Sequence, residues 1–346
     1  MIKRGQFSGS KSEPQKNDEA KIDLGVIAEP DLLANVLRPR SFDRYVGQDE
    51  AKNQIRLLVD AAKSREESCD HILIYGPAGL GKTTLANIVA SEMNSELRIT
   101  AGPVLEKQGD LAAILSSLRD GSILFIDEIH RLRPQIEEVL YSAMEDFVLD
   151  LVVGKGVTAK TLRLNLPKFT LVGATTKPHK ISSPLRERFG GLVKLDYYQD
   201  AEIAEIVTQS AAILNLELKQ DAALLLANCS RGIPRVANRL LKRVSDYCLV
   251  NSEVIASLRH VKETLAILGL DESGLSRLDL EVLKVLNNNF AGGPVGISTL
   301  SAYMHEDRDT LSEVVEPFLL KLGFLQRSHR GRIVTEAGKK YLKQKV

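Results

Sequence analysis

An octapeptide in the first quarter of the chain has the residue types and the spacing needed to bind phosphate. It reads Gly76-Pro77-Ala78-Gly79-Leu80-Gly81-Lys82-Thr83 and matches the pattern G-x-x-x-x-G-K-[ST]. Glycines let backbone N–H groups close around phosphate oxygens, and a following helix adds positive potential at its N-terminus. We expect Lys82 to reach the β- and γ-phosphates of a nucleotide, Thr83 to bind Mg²⁺ and Thr84 to add a phosphate contact.

Two carboxylates end an apolar segment that follows this octapeptide. Ile123-Leu124-Phe125-Ile126 is succeeded by Asp127 and Glu128, and Asp127 comes 45 residues after Lys82. An aspartate at a strand tip beside bound phosphates can hold Mg²⁺. A neighbouring glutamate can polarise the attacking water. The two segments together therefore predict hydrolysis of a nucleoside triphosphate.

Four further polar residues could contribute to such a site. Thr175 and Thr176 end a third apolar segment, and either hydroxyl could sense the γ-phosphate. Arg188 could stabilise transition-state charge in a neighbouring subunit, or it could form a surface ion pair with Glu187. Arg235, at the start of a predicted helix, could reach back to the phosphates.

The elements that carry these residues alternate between strands and helices. Apolar runs predict buried strands over residues 71–75, 122–126 and 169–174, and apolar spacing predicts helices over 48–63, 82–93 and 111–118. Continuous apolar strands separated by helices indicate an α/β fold with a parallel sheet covered on both faces.

The remaining sequence predicts two other kinds of domain. Residues 201–214, 221–228 and 234–248 read as helices of a small all-helical domain. Helices over 278–286, 297–303 and 310–322, followed by two short strands around Ser328-His329-Arg330-Gly331, indicate a winged helix. The predicted divisions are a disordered tail at 1–30, then domains at 31–198, 199–271 and 272–346.

Charge is nearly balanced over the whole chain. The 346 residues include 46 Lys and Arg and 45 Asp and Glu, a net charge of +1, which excludes a uniformly basic nucleic-acid binder. From Lys321 to the end, however, there are eight basic residues and one acid, Glu336. This local excess predicts a DNA-binding surface in the winged helix.

Composition also indicates the compartment. Cys69, Cys229 and Cys248 are far apart and fit neither a disulfide framework nor a zinc spacing. No apolar run approaches the roughly 18–20 residues that span a bilayer. The start of the sequence lacks the apolar stretch of a secretory signal. We expect a cytoplasmic protein with reduced thiols.

The motifs occur in the order typical of AAA+ ATPases, and further segments resemble one family within them, the RuvB Holliday junction branch-migration motors. These segments are residues 44–48, 102–107, 127–132, 139–146 and 290–296, and the resemblance extends over roughly residues 31–340. It implies a large ATPase domain, a helical lid and a winged helix. It also implies ATP or ADP with Mg²⁺, a homo-hexameric ring on duplex DNA at Holliday junctions, a RuvA-type junction-binding partner and a RuvC-type resolvase.

The resemblance also implies roles for individual residues. The catalytic set would be Lys82, Asp127, Glu128, Thr175 and Arg188, with Thr83 and Asp127 at the metal. The nucleotide contacts would be Leu37, Arg38, Tyr45, Gly79, Gly81, Lys82, Thr83, Thr84, Glu145, Asp146, Phe147, Arg188, Tyr198 and Arg235. The DNA contacts would be Arg308, Arg327 and Arg332.

A weakly alternating insertion over residues 147–166 reads as a hairpin with an apolar end. The resemblance implies that this hairpin binds the RuvA-type partner, and the alternative is a hairpin folded onto its own core. Two departures from the family pattern are modest. Ala78 replaces a proline in the phosphate loop, and Lys177-Pro178-His179-Lys180 replaces an arginine-led stretch.

Two other functions fit parts of the sequence. The first is a clamp-loader or replication-initiator AAA+ switch, which the terminal winged helix disfavours. The second is a winged-helix regulator that senses nucleotide with little turnover. Glu128 and Arg188 argue against the regulator, because a pure sensor needs neither.

Overall fold

The computed structural model describes residues 36–153 and 160–344. The predicted disordered tail at 1–30 lies outside these residues. The described residues up to Arg38 belong to one unit of the chain, and those from Pro39 onward belong to a second. All the elements below belong to the second unit.

A five-stranded parallel sheet forms the centre of the first domain, which we call the ATPase domain after the activity that the sequence predicts for it. Its strands are β1 (Ile72–Tyr75), β2 (Leu97–Ala101), β3 (Ile123–Asp127), β6 (Thr170–Thr175) and β7 (Gly191–Lys194). Their order across the sheet is β2-β3-β6-β1-β7. Because β1, β6 and β3 are neighbours, the three polar segments that follow them lie at one edge of the sheet.

Helices cover both faces of this sheet. They are α1 (Asp49–Arg65), α2 (Lys82–Glu92), α3 (Gln108–Ser116), α4 (Pro134–Glu145) and α5 (Ser183–Glu187). Side chains of β1 alternate between the faces: Ile72 and Ile74 belong to one apolar core, and Leu73 belongs to the other. The predicted α/β architecture with a doubly covered sheet is confirmed.

The two edge strands, β2 and β7, were not predicted. Leu97-Arg98-Ile99-Thr100-Ala101 is half-exposed along its length, and β7 alternates buried and exposed residues. Edge strands meet solvent on one side, so they lack the continuous apolar run that marks the central strands.

A hairpin follows α4, as predicted. Its strands are β4 (Val148–Val153) and β5 (Lys160–Asn165), paired antiparallel, and the residues that join them lie outside the described part of the chain. At the base, Leu149 packs in the ATPase core, and Arg163 forms a two-bond ion pair with Asp150 (2.8 and 2.7 Å).

The lid is a helical domain that packs against one face of the ATPase domain. Its helices are α6 (Asp200–Ile213), α7 (Gln220–Cys229), α8 (Pro234–Val250) and α9 (Leu258–Ile267), with a two-residue parallel pair of strands, β8 (Glu217–Leu218) and β9 (Ile255–Ala256). Its core is continuous with the core on the β1 face that holds Ile72. The three cysteines are buried as free thiols.

The winged helix has its own core, lined by residues such as Leu283, Leu286 and Leu319. Its elements are α10 (Arg277–Asn289), α11 (Ile297–Met304), a π-helical turn (Thr310–Val315), α12 (Glu316–Lys321), β10 (Leu325–Ser328), β11 (Gly331–Val334) and α13 (Glu336–Gln344). The segment predicted as one helix over 310–322 therefore begins with a wider turn. Among the described residues, no helix is long and apolar enough to cross a bilayer.

Candidate functional site

The phosphate loop between β1 and α2 has the backbone shape that its glycines predict. Gly79 and Gly81 adopt positive φ angles of 82° and 105°, which favour glycine. A Cβ at Gly79 would lie 2.7 Å from Ile233 Cγ2, and one at Gly81 would lie 2.7 Å from the Tyr45 hydroxyl. A side chain at Gly79 would therefore collide with the lid, and one at Gly81 would collide with Tyr45, so both positions require glycine.

Lys82 lies across this loop rather than in solvent. Its Nζ donates hydrogen bonds to the carbonyl oxygens of Gly76 and Pro77, both at 2.8 Å, and the residue is 7% exposed. Burial lowers the pKa of Lys82, while the nearby charges of Asp127 and Glu128 oppose that shift. The ammonium therefore lies close to both carboxylates that the sequence assigned to hydrolysis.

Two buried tyrosines form hydrogen bonds at the phosphate loop. The Tyr198 hydroxyl donates to the Tyr45 hydroxyl at 3.0 Å, and the Tyr45 hydroxyl donates to the Leu80 carbonyl at 3.3 Å. Burial raises the pKa of Tyr198 to about 12 and raises that of Tyr45 as well. Both residues thus lie at the phosphate loop. Leu37 and Arg38 belong to the other unit, and their predicted nucleotide contacts stay a prediction.

The lid reaches the phosphate loop through the start of α8. The Arg235 N–H lies 3.4 Å from the Gly79 carbonyl, and the charge of Arg235 lowers the pKa of Lys82, after burial as the main cause. Pro234 occupies the first turn of α8, where a missing N–H costs nothing. The structure thus brings the backbone of Arg235 to the phosphate loop from a different domain, and the contact of its side chain with the phosphates stays a prediction.

The polar groups after β3 and β6 form one hydrogen-bonded cluster. His130 Nδ1 lies 3.2 Å from Glu128 Oε2 and 2.9 Å from Thr175 Oγ1. The Thr176 hydroxyl lies 3.5 Å from the same Glu128 oxygen. Glu128 itself has a positive φ of 48°, and its N–H donates to Asp127 Oδ1 at 2.9 Å.

His130 is the member of this cluster to which the sequence analysis gave no role. Its side chain is 7% exposed, and burial lowers its pKa. A neutral imidazole with its proton on Nδ1 has one N–H at this position, which can donate to Glu128 or to Thr175. Only the fold brings His130 beside Thr175, 45 residues further along the chain, so the motif alone did not reveal the contact.

Arg188 lies in a second cluster, formed by α4 and α5. Its guanidinium donates to the Pro184 carbonyl at 2.8 Å and to Glu145 Oε2 at 2.9 Å, and it stacks 4.9 Å from the Tyr141 ring centroid. Its ion-pair partner is therefore Glu145, not Glu187. Ser182 caps α5 by accepting from the Leu185 N–H.

Glu145 belongs to this second cluster, Asp146 and Phe147 follow it at the end of α4, and the nucleotide contacts of all three stay a prediction. Glu145 pairs with Arg188, and Asp146 is exposed. The Phe147 ring packs at 5.8 Å from Phe169 and 6.3 Å from His71.

One buried carboxylate holds two of the arginines predicted to contact DNA. Glu316, 3% exposed, accepts from Arg327 Nε at 2.7 Å and from Arg332 Nη2 at 2.8 Å. The Arg327 side chain remains 58% exposed, whereas that of Arg332 is 15% exposed. Arg308 is exposed just before the π-helical turn.

Three family models match successive parts of the chain. Residues 37–195 match the Holliday junction DNA helicase RuvB P-loop domain. Residues 198–271 match the RuvB AAA lid domain, and residues 272–343 match the RuvB C-terminal winged helix domain.

Solved structures agree with these matches. The Thermotoga maritima RuvB Holliday junction branch migration motor is 47% identical to this chain, with a TM-score of 0.78. The similarity covers 89% of this chain and 98% of that one. A mutant of the same Thermotoga maritima RuvB, also 47% identical, covers 89% of this chain and 99% of its own, with a TM-score of 0.79.

A P-loop after an inner strand of a parallel sheet, with a helical lid that reaches back to the loop, defines the class of the AAA+ ATPases. Within this class, the chain belongs to the RuvB family, the motors of Holliday junction branch migration. It is an ATP-hydrolysing motor subunit of that kind.

Proposed function

We propose that this chain couples ATP hydrolysis to movement of duplex DNA through a ring of identical subunits. The observation that carries the proposal is the position of Arg235. A lid residue lies against the Gly79 carbonyl of the ATPase domain, so a change at the phosphates alters the contact between the two domains. The winged helix, joined to the lid, then passes that motion to DNA.

Nucleotide binding rests on the phosphate loop. Lys82 exchanges its two loop carbonyls for phosphate oxygens, and Arg235 approaches the same phosphates from the lid. The hydroxyl of Thr83 and the carboxylate of Asp127 are oxygen donors of the type that Mg²⁺ prefers. The ion would neutralise phosphate charge when bound. These donors and the glycine cradle fit a magnesium nucleotide.

Glu128 acts as the group that orients and deprotonates the attacking water. Its carboxylate is 34% exposed, so water can reach it. The Thr176 hydroxyl lies beside that carboxylate, whereas Thr175 is fully buried and bonded to His130. We therefore assign γ-phosphate sensing to Thr176, and we assign to Thr175 the support of that arrangement.

Arg188 completes the site of a neighbouring subunit. In its own subunit it is tied to Glu145 on α4, so a ring of subunits would bring both residues, with Asp146 and Phe147, to the next nucleotide. The RuvB family favours a homo-hexamer. An arginine supplied in this way stabilises transition-state charge and ties hydrolysis to assembly.

The winged helix binds the DNA backbone through positively charged side chains. Arg327 and Arg332 are both oriented by Glu316, and Arg308 is a further exposed arginine of the same domain. Contacts of arginine with phosphate carry no sequence information and weaken as salt rises. Such a grip suits a motor that moves along any duplex.

Family resemblance supports two protein partners and the compartment. The hairpin of β4 and β5 would bind a RuvA-type junction protein, and a RuvC-type resolvase would act on the same junction. All of these processes take place in the cytoplasm.

Displacement of a third strand from duplex DNA tests movement without any partner. Purified chain with ATP should strip a triplex-forming oligonucleotide from a long duplex, and Glu128→Gln should not. Turnover without displacement would instead support the AAA+ switch, and nucleotide binding without turnover would support the regulator.

A further inference from the structure

The ATPase domain and the winged helix meet at one ion pair next to the hydrolysis centre. Lys177 Nζ lies 2.9 Å from Glu313 Oε1, and Glu313 belongs to the π-helical turn of the winged helix. Lys177 directly follows the two threonines that end β6. The winged helix thus contacts the same short segment that borders Glu128.

A continuous series of polar contacts runs from this ion pair to the catalytic carboxylate. The Lys177 N–H donates to Thr175 Oγ1 at 2.9 Å, and that oxygen lies 2.9 Å from His130 Nδ1. His130 Nδ1 in turn lies 3.2 Å from Glu128 Oε2. Two of the contacts join different elements: Thr175–His130 links β6 to the segment after β3, and Lys177–Glu313 links the β6 segment to the winged helix.

Charge gives Lys177 a second connection to the same centre. Its hydrogen bond with Glu313 raises the pKa of Lys177, and the more distant charge of Glu128 acts in the same direction. The Lys177 charge also opposes protonation of His130. One ammonium therefore acts on a carboxylate in each domain.

The π-helical turn that carries Glu313 also contacts the lid. The Glu316 N–H donates to the Leu311 carbonyl five residues back, and the Arg231 guanidinium of the lid donates to the Val314 carbonyl at 3.3 Å. Isolated π-helical turns are often functional. Arg308, which we propose as a DNA contact, lies two residues before this turn, so a short stretch of backbone joins it to Glu313.

We propose that Lys177 is a positioning residue through which the DNA-bound winged helix acts on Glu128. When Glu313 moves, Lys177 moves with it, and the backbone of residue 177 shifts Thr175 and His130 against the carboxylate. This inference rests on the proposed role of Glu128. It attributes the stimulation of ATP hydrolysis by duplex DNA to the ion pair between Lys177 and Glu313.

A double-mutant cycle on ATP turnover, with and without duplex, tests the proposal in the full chain. Glu313→Gln should leave the basal rate unchanged within about twofold and lower the stimulation by saturating duplex about threefold or more. The duplex concentration for half-maximal stimulation should not change. Lys177→Met should lower the stimulation similarly, and the double variant should lower it no further than either single change.

Lys63 and Glu92 form a matched control pair on the ATPase domain, exposed and 3.0 Å apart. Lys63→Met and Glu92→Gln should leave the stimulation unchanged. Unchanged stimulation in Glu313→Gln, additive losses in the cycle, or equal losses in the control pair would each overturn the coupling. Turnover retained by Glu128→Gln would overturn the proposed function instead, so the two failures are distinguishable.

Discussion

The guanidinium of Arg231 in the lid and the carboxylate of Asp279 in the winged helix form an ion pair of 2.6 Å between Nη2 and Oδ2. Asp279 is fully buried, and Arg231 also stacks 4.2 Å from the Phe318 ring centroid. Arg231 lies four residues before Arg235, which contacts the phosphate loop. The lid segment that contacts the phosphate loop is therefore also the one that binds the winged helix.

Removal of Asp279 should destabilise the chain. Asp279→Ala leaves a largely buried guanidinium without its carboxylate and removes the acceptor of the Ser276 N–H in the capping box of α10, so we expect a loss of about 3 kcal/mol in the free energy of unfolding. Chemical denaturation measures the loss. Asp246→Ala, which breaks an exposed ion pair with Arg243, is the control and should cost less than about 1 kcal/mol. Equal losses for the two variants would contradict the structural role.

Glu128→Gln should separate binding from turnover. The amide keeps the shape of the carboxylate but cannot accept the proton of the attacking water. We therefore expect unchanged ATP affinity and a turnover about 10²–10⁴-fold lower. Fluorescent-nucleotide binding and phosphate release provide the two readouts. Substantial residual hydrolysis would remove Glu128 from its assigned role.

The central strands and the two nucleotide motifs could be predicted because their information is local. Apolar runs end in glycines or carboxylates, and a parallel sheet brings such ends together. His130 could not be recognised in this way, since its partner Thr175 comes from a strand 45 residues further on. The role of Glu316 likewise depends on how α12 packs against β10 and β11, which no spacing in the sequence reveals.

Arg188 should act in trans. Arg188→Ala subunits keep an intact phosphate loop, and Lys82→Ala subunits keep Arg188. Neither should hydrolyse ATP alone, whereas mixtures should regain a part of the turnover. We would measure turnover across mixing ratios, with mixtures of Lys82→Ala and Glu128→Gln as the control that should stay inactive. If turnover did not recover at any mixing ratio, Arg188 would not act in the nucleotide site of a neighbouring subunit.

Arg327→Ala should weaken duplex binding in a salt-dependent way. Loss of one phosphate contact should reduce the slope of log affinity against log salt by about 1. The change should be equal for unrelated duplex sequences. Binding titrations at several salt concentrations test this, with Arg243→Ala in the lid as the control. A preserved slope would show that Arg327 does not contact phosphate.

Acid should remove the stabilising effect of Glu316. Although burial alone would raise it, hydrogen bonds from Arg327 and Arg332 hold the pKa of Glu316 below its usual 4.5. A lowered pKa in the fold stabilises the chain above about pH 4.5 and loses that effect as pH falls through the folded value. Thermal unfolding should therefore show a difference between the native chain and Glu316→Gln that shrinks below pH 4.5. A difference in thermal stability that stays constant below pH 4.5 would show that the Glu316 carboxylate is not its source.

Branch migration of a synthetic four-way junction tests the central claim most directly. The purified chain, a RuvA-type junction protein, ATP and Mg²⁺ should convert the junction into its duplex products, and Lys82→Ala or omission of ATP should prevent conversion. Products that appear only with hydrolysable ATP are the predicted result. An intact junction after many rounds of ATP turnover, with the partner bound, would contradict the account.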